Sequence, residues 1–155
     1  MSDVATSRRV LGPSAVEVAF SWFQRIVAVY CMLFGVLYWI KLIGFYPGPL
    51  WRFDLMPLHW QVSAATLAVL FPFAAAGLWM LASWGPVIWF ICAVMETVMY
   101  GGLTPLYGER LPIVGAHGVV ALIYIGFRIA IHLQKQRARQ QPRLPGGARR
   151  MSINV

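Results

Sequence analysis

Glu96 stands alone in an apolar run, VIWFICAVMETVMYGGL at residues 87–103, with no other acid or base beside it. A carboxylate in hydrocarbon costs several kcal/mol unless it is neutralised or paired, so its presence calls for a partner or a function. On a helix its neighbours four residues either way are Cys92 and Tyr100, a mildly polar stripe. A second stripe lies in IVGAHGVVALIYIGFRIAIHL. His117, Tyr124 and Arg128 fall within about 40° of one another on a helix, and His132 lies about 60° off. Polar stripes on lipid-embedded helices face the bundle interior. The expected arrangement has Arg128 below Glu96 and His117 above it.

Two chemistries fit these residues. Carboxyl, imidazole and phenol groups exchange protons, so Glu96, His117, Tyr100 and Tyr124 suit a proton or ion relay, or a ligand pocket. Alternatively, Glu96 and Arg128 form a charge pair that fixes how their helices pack. Arg25 and Lys41 bracket another apolar run and are expected to snorkel to the nearer interface as anchors. Haem b is not expected. Bis-histidine ligation needs two histidines on facing helices at similar depth. His117 and His132 share one helix, and His59 sits nearly two turns away in depth. Cys31 and Cys92 show no CxxC spacing and read as small hydrophobes, so neither a disulfide framework nor a metal site is expected. No phosphate loop, HExxH or Ser-His-Asp set occurs, so no residue is assigned a catalytic role and no cofactor is expected.

The elements that must position these residues are set by composition. Of 155 residues, 59% are hydrophobic and 12% charged, where a soluble domain carries about 25% charged residues. A bilayer core about 30 Å thick needs roughly 20 apolar residues per helix. Four runs qualify, at about 22–46, 60–82, 86–103 and 112–133. Lipid-exposed backbone must satisfy its own hydrogen bonds, so these runs are helices and the fold class is all-α, a four-transmembrane-helix bundle. PGP at 47–49, WGP at 84–86 and TPLYGERLP at 104–112 break the runs, and Pro72 is expected to kink the second helix. Small residues, Ala64, Ala68 and Ala75 with Gly115, Gly118 and Gly126, suit close helix packing.

Residues 22–133 form the transmembrane domain. Residues 1–21 read as a cytoplasmic segment in which SAVEVAFSWF forms a short interfacial helix, with no cleavable signal. Residues 134–155 read as a basic, disordered tail. Arg8, Arg9 and Arg25 at one end and six basic residues from Lys135 onward at the other place both termini in the cytoplasm. Tryptophan and tyrosine form the interfacial belts: Trp22, Trp79, Trp84 and Trp89 inside, Trp39, Tyr46, Trp60 and Tyr107 outside. The tail is suited to anionic lipid. It has no aromatic platform for nucleic acid, so the partners expected are the bilayer and a membrane protein or a second copy of the chain.

WFQRIVAVYCMLFGVLYWIKLIGFYPG, LWRFDLMPLHWQ and LWMLASWGPVIWFICAVMETVMY resemble an uncharacterised family of small alphaproteobacterial inner-membrane proteins, a domain of unknown function. The resemblance implies a four-helix fold in a bacterial inner membrane. The order Arg25, Gly35, Lys41, Leu42 is also similar to the first helix of DoxX-type four-helix proteins, which would imply a quinone-linked or redox role. The acidic-Gly signature of their second helix is absent from AAAGLWML. The expected function is an accessory or scaffold subunit of a larger membrane assembly. A small proton-linked transporter working through Glu96 is the alternative.

Overall fold

The computed structural model describes residues 14–140. Helix α1 spans Ala15–Ile43, α2 Leu58–Trp79 and α3 Gly85–Thr97, with a π turn continuing α3 over Val98–Gly102. A short α4 covers Thr104–Tyr107, and α5 runs over Leu111–Gln140. A 3-10 turn at Phe53–Leu55 sits in the link between α1 and α2. Four of these helices are long and apolar enough to cross a membrane.

The start of α1 is encoded locally. Ser14 and Glu17 form a capping box: the Ser14 hydroxyl accepts from the Glu17 amide at 3.3 Å, and the Glu17 carboxylate accepts from the Ser14 amide at 3.1 Å. The helix then runs without a break into the apolar stretch. The segment SAVEVAFSWF, expected as a short interfacial helix leading into the first span, forms the first turns of α1. The cap stabilises a start at Ala15, and nothing between there and Trp22 breaks the helix. Gly44, in the left-handed region at φ 78°, closes α1 with its amide on the Ile40 carbonyl. The other end differs from expectation. Residues 134–140, read as the beginning of a disordered tail, continue α5. QKQRARQ contains no Gly or Pro, and its long unbranched side chains favour helix.

Burial divides the helices unevenly. Half of the most apolar 18-residue window of α2 is buried, but only 6% of that of α5. Helix α1 buries one stripe, Gln24, Val27, Ala28, Cys31, Gly35, Tyr38 and Lys41, at helical spacing. It packs on α2, where Ala64, Leu67, Ala68, Phe71, Ala74 and Ala75 form the centre of the core. Lipid tails are as apolar as these side chains, so close van der Waals fit has to hold the helices together. Gly35 supplies such fit by receiving the Pro72 ring. A Cβ on Gly35 would come within 2.8 Å of Pro72 Cδ. Likewise Gly77 and Gly85 let α2 and α3 meet backbone to backbone beneath Trp84, where a Cβ on Gly77 would lie 2.7 Å from Gly85 Cα. Of the small residues singled out by sequence, Ala64, Ala68 and Ala75 lie in this core. Gly115, Gly118 and Gly126 instead face open space.

The beginning of α1 and the far part of α5 lie at the same end of the bundle. The Ser14 hydroxyl there donates to the Gln134 side-chain oxygen at 3.2 Å. The opposite end carries the links at residues 44–57 and 103–110.

Candidate functional site: a buried carboxylate held by three helices

Glu96 is completely buried. Its neighbours on the inward face of α3 are Trp89, Cys92 and Ala93 on one side and Met99 and Tyr100 on the other. One carboxylate oxygen, Oε1, accepts from the Tyr38 hydroxyl of α1 at 2.6 Å. The other, Oε2, lies 2.6 Å from Nε2 of His117 on α5. Tyr38 and His117 are each 3% exposed. The Tyr100 phenol, 1% exposed, adjoins that of Tyr38. Three helices thus converge on one carboxyl group.

These contacts answer the desolvation problem that an isolated carboxylate poses. Each oxygen has a short hydrogen bond. The imidazole can meet the carboxyl group as donor or acceptor, so the Glu96–His117 contact is satisfied whichever of the two carries the proton. Cys31 and Cys92 are fully buried free thiols in the same core. The triad leaves one group unsatisfied: His117 Nδ1 is buried without a hydrogen-bond partner among the described residues, as is Trp89 Nε1. The two rings stand 6.2 Å apart, and the edge of His117 also meets Tyr30 at 6.2 Å. Trp89, expected at an interfacial belt, is 4% exposed and belongs to this interior.

The residues predicted from sequence separate into two groups. Glu96, His117 and Tyr100 come together. Arg128 and Tyr124 do not join them. Arg128 is exposed and forms no ion pair among the described residues. Eleven residues along α5 put it about 16 Å beyond His117, too far for its arm to reach the carboxylate that His117 occupies. Tyr124 packs on Phe20 of α1, ring centres 5.6 Å apart, about 10 Å along α5 from His117. Tyr38 was the residue that sequence reasoning overlooked. A signal existed, since Gln24, Cys31 and Tyr38 repeat at heptad spacing along α1 and mark its inward polar stripe.

The two basic residues of α1 also depart from simple anchoring. Arg25 is half-buried, its guanidinium over the rings of Trp22 at 5.5 Å and Trp79 at 6.0 Å. Lys41 is only 9% exposed. Its ammonium is enclosed by Tyr38, Trp51 and Trp60, with ring centres at 5.1, 5.5 and 5.3 Å. Lys41 could not snorkel free because the link after α1 folds Trp51 back over it. Trp60, another expected belt residue, is 3% exposed, its ring set against those of Tyr100 and Tyr107. A smaller polar cluster ties α4 to α2. The Tyr107 hydroxyl donates to the His59 carbonyl at 3.0 Å and stands 2.8 Å from Ser63 Oγ, while His59 Nε2 meets the Leu106 carbonyl at 3.3 Å.

Among curated proteins and among solved structures, no match to this chain is found. A profile of a family of unknown function, DUF6163, matches residues 18–135, from the second turn of α1 into the far part of α5. That match takes in Tyr38, Lys41, Glu96 and His117 and most of the chain, and the chain belongs to that family.

Proposed function

We propose that this protein is an accessory subunit that docks on a larger membrane assembly through the open face of α5. The exposure of that helix carries the reading. Gly115, Val119, Leu122, Gly126, Ile129 and Leu133 form a seam within about 40° of a common line, while His117 projects about 160° away into the bundle. The seam is exposed along its length, and Gly115 and Gly126 have open space where a Cβ would stand. Small residues on such a seam let another helix approach closely. The distribution of arginine and lysine supports an orientation with both termini cytoplasmic, and the membrane is proposed to be a bacterial inner membrane.

The test is a photocrosslinking amino acid at Leu122 or Ile129, with Val29 on the exposed face of α1 as control, in native membranes. A discrete protein adduct from the α5 positions, absent from Val29 and lost on Gly126→Leu, is the expected result. An adduct of twice the chain's mass would identify the partner as a second copy. Lipid adducts alone from all three positions would refute docking through α5.

A proton-linked transporter is the second reading. It is favoured by the unpartnered Nδ1 of His117, which gives the imidazole a second nitrogen through which a proton could leave the triad. Proton flux in proteoliposomes discriminates. Loss of flux in Glu96→Gln is expected under this reading, and equal flux from both proteins would end it.

A further inference from the structure

The end of the bundle that carries the links holds a second polar site, which shares the Tyr38 side chain with the carboxylate triad. Lys41 is nine-tenths buried, and its ammonium has no hydrogen-bond acceptor and no carboxylate partner among the described residues. The enclosure offers the ammonium ring faces alone, and the nitrogen itself stays accessible from outside it. Arg110 stands nearby. Its guanidinium lies over the Tyr100 ring at 5.7 Å. The Tyr100 ring in turn packs against Trp60 of the Lys41 enclosure, centres 6.4 Å apart. The two cations thus rest on adjoining aromatic rings. The third cation at this end, Arg52, is bonded to Asp54 at 2.7 and 3.2 Å. Glu109, next to Arg110 in the chain, is exposed and forms no ion pair among the described residues.

We propose that Lys41 and Arg110, over the floor of Tyr38, Trp51, Trp60 and Tyr100, bind a phosphate-class oxyanion. Like charges held on adjoining rings repel, and a bound anion would relieve the repulsion and supply acceptors for the ammonium. The donor set suits phosphate: an ammonium gives a compact charge, and a guanidinium gives a planar fork that grips two oxygens. Cation–π contact offsets part of the ammonium's desolvation, but it fills none of its hydrogen bonds. The same chemistry is presented by an anionic lipid headgroup and by a soluble phosphate ester.

The experiment is native mass spectrometry on the purified full chain with phosphatidylglycerol, phosphatidylcholine or inorganic phosphate, together with melting temperature in each. Variants are Lys41→Met, which keeps the stem in the enclosure, and Arg110→Gln at an exposed position that folding does not require. The wild type should retain phosphatidylglycerol at least tenfold better than phosphatidylcholine and melt higher with it. Both variants should lose that preference, and Lys41→Met should melt no lower than wild type without lipid, having shed an ammonium that has no acceptor among the described residues. A gain from inorganic phosphate, without a phosphatidylglycerol preference, would support the same site with a soluble ligand. The proposal is overturned if neither anion raises the melting temperature, or if both variants keep the preference.

Discussion

Glu96 has two partners because a carboxylate has two oxygens, and each partner comes from a different helix. That geometry makes the effect of substitutions sharply dependent on shape. Gln at position 96 can still accept from the Tyr38 hydroxyl through its oxygen and donate to His117 through its amide, so Glu96→Gln should change stability by less than about 1 kcal/mol. Glu96→Ala leaves both the phenol and the imidazole buried without a partner, at about 1–3 kcal/mol for each. Unfolding in mixed micelles, with SDS as denaturant, measures the difference. Equal losses in the two variants would show that the triad does not hold the helices together. The thiols offer a check on the same interior. Cys31 and Cys92 are fully buried, so neither should react with a membrane-permeant maleimide until the protein unfolds.

At the scale of elements, the contrast among glycines reports which helix faces are occupied. Gly35 receives Pro72, and Gly85 abuts the backbone of α2. Alanine at either position must push helices apart, at about 1–3 kcal/mol. On α5 a Cβ at Gly118 meets nothing. There Gly118→Ala should be neutral or stabilising by up to about 1 kcal/mol, because alanine is the better helix former. Melting temperatures of the three variants test this. A loss at Gly118 comparable to that at Gly35 would mean that α5 is more closely packed than its exposure implies. The turn between α2 and α3 was legible from WGP. The capping box of α1 was equally local, though it was missed, and it moved the start of that helix to Ala15.

For the whole molecule, the consequence is an asymmetric bundle. Helices α1, α2 and α3 share a core built on alanine, while α5 is joined to it along one face, through His117 and through Tyr124 and Phe127 against Phe20 and Phe23 of α1. His117→Leu should let α5 splay. Spin labels at Ser14 and Gln134, which touch in the native structure, would then report a broader and longer distance distribution by pulsed dipolar spectroscopy. An unchanged distribution would show that other contacts suffice.

Hydropathy and helical period are properties of short stretches of chain, and they determined the four long apolar helices, the breakers between them and the need of Glu96 for a partner. The choice of partner was not local. Tyr38 lies 58 residues before Glu96 and His117 lies 21 after it, and only the crossing of α1, α3 and α5 decides that these two reach the carboxylate. Arg128 carries the opposite charge, and on charge alone it looked the better match; position along α5 ruled it out. Likewise a lysine followed by LIGFY reads as an anchor until the next link brings Trp51, and α2 brings Trp60, against it. Tertiary structure also left the glycine seam of α5 without a neighbour, because His117 turns the opposite face of that helix inward.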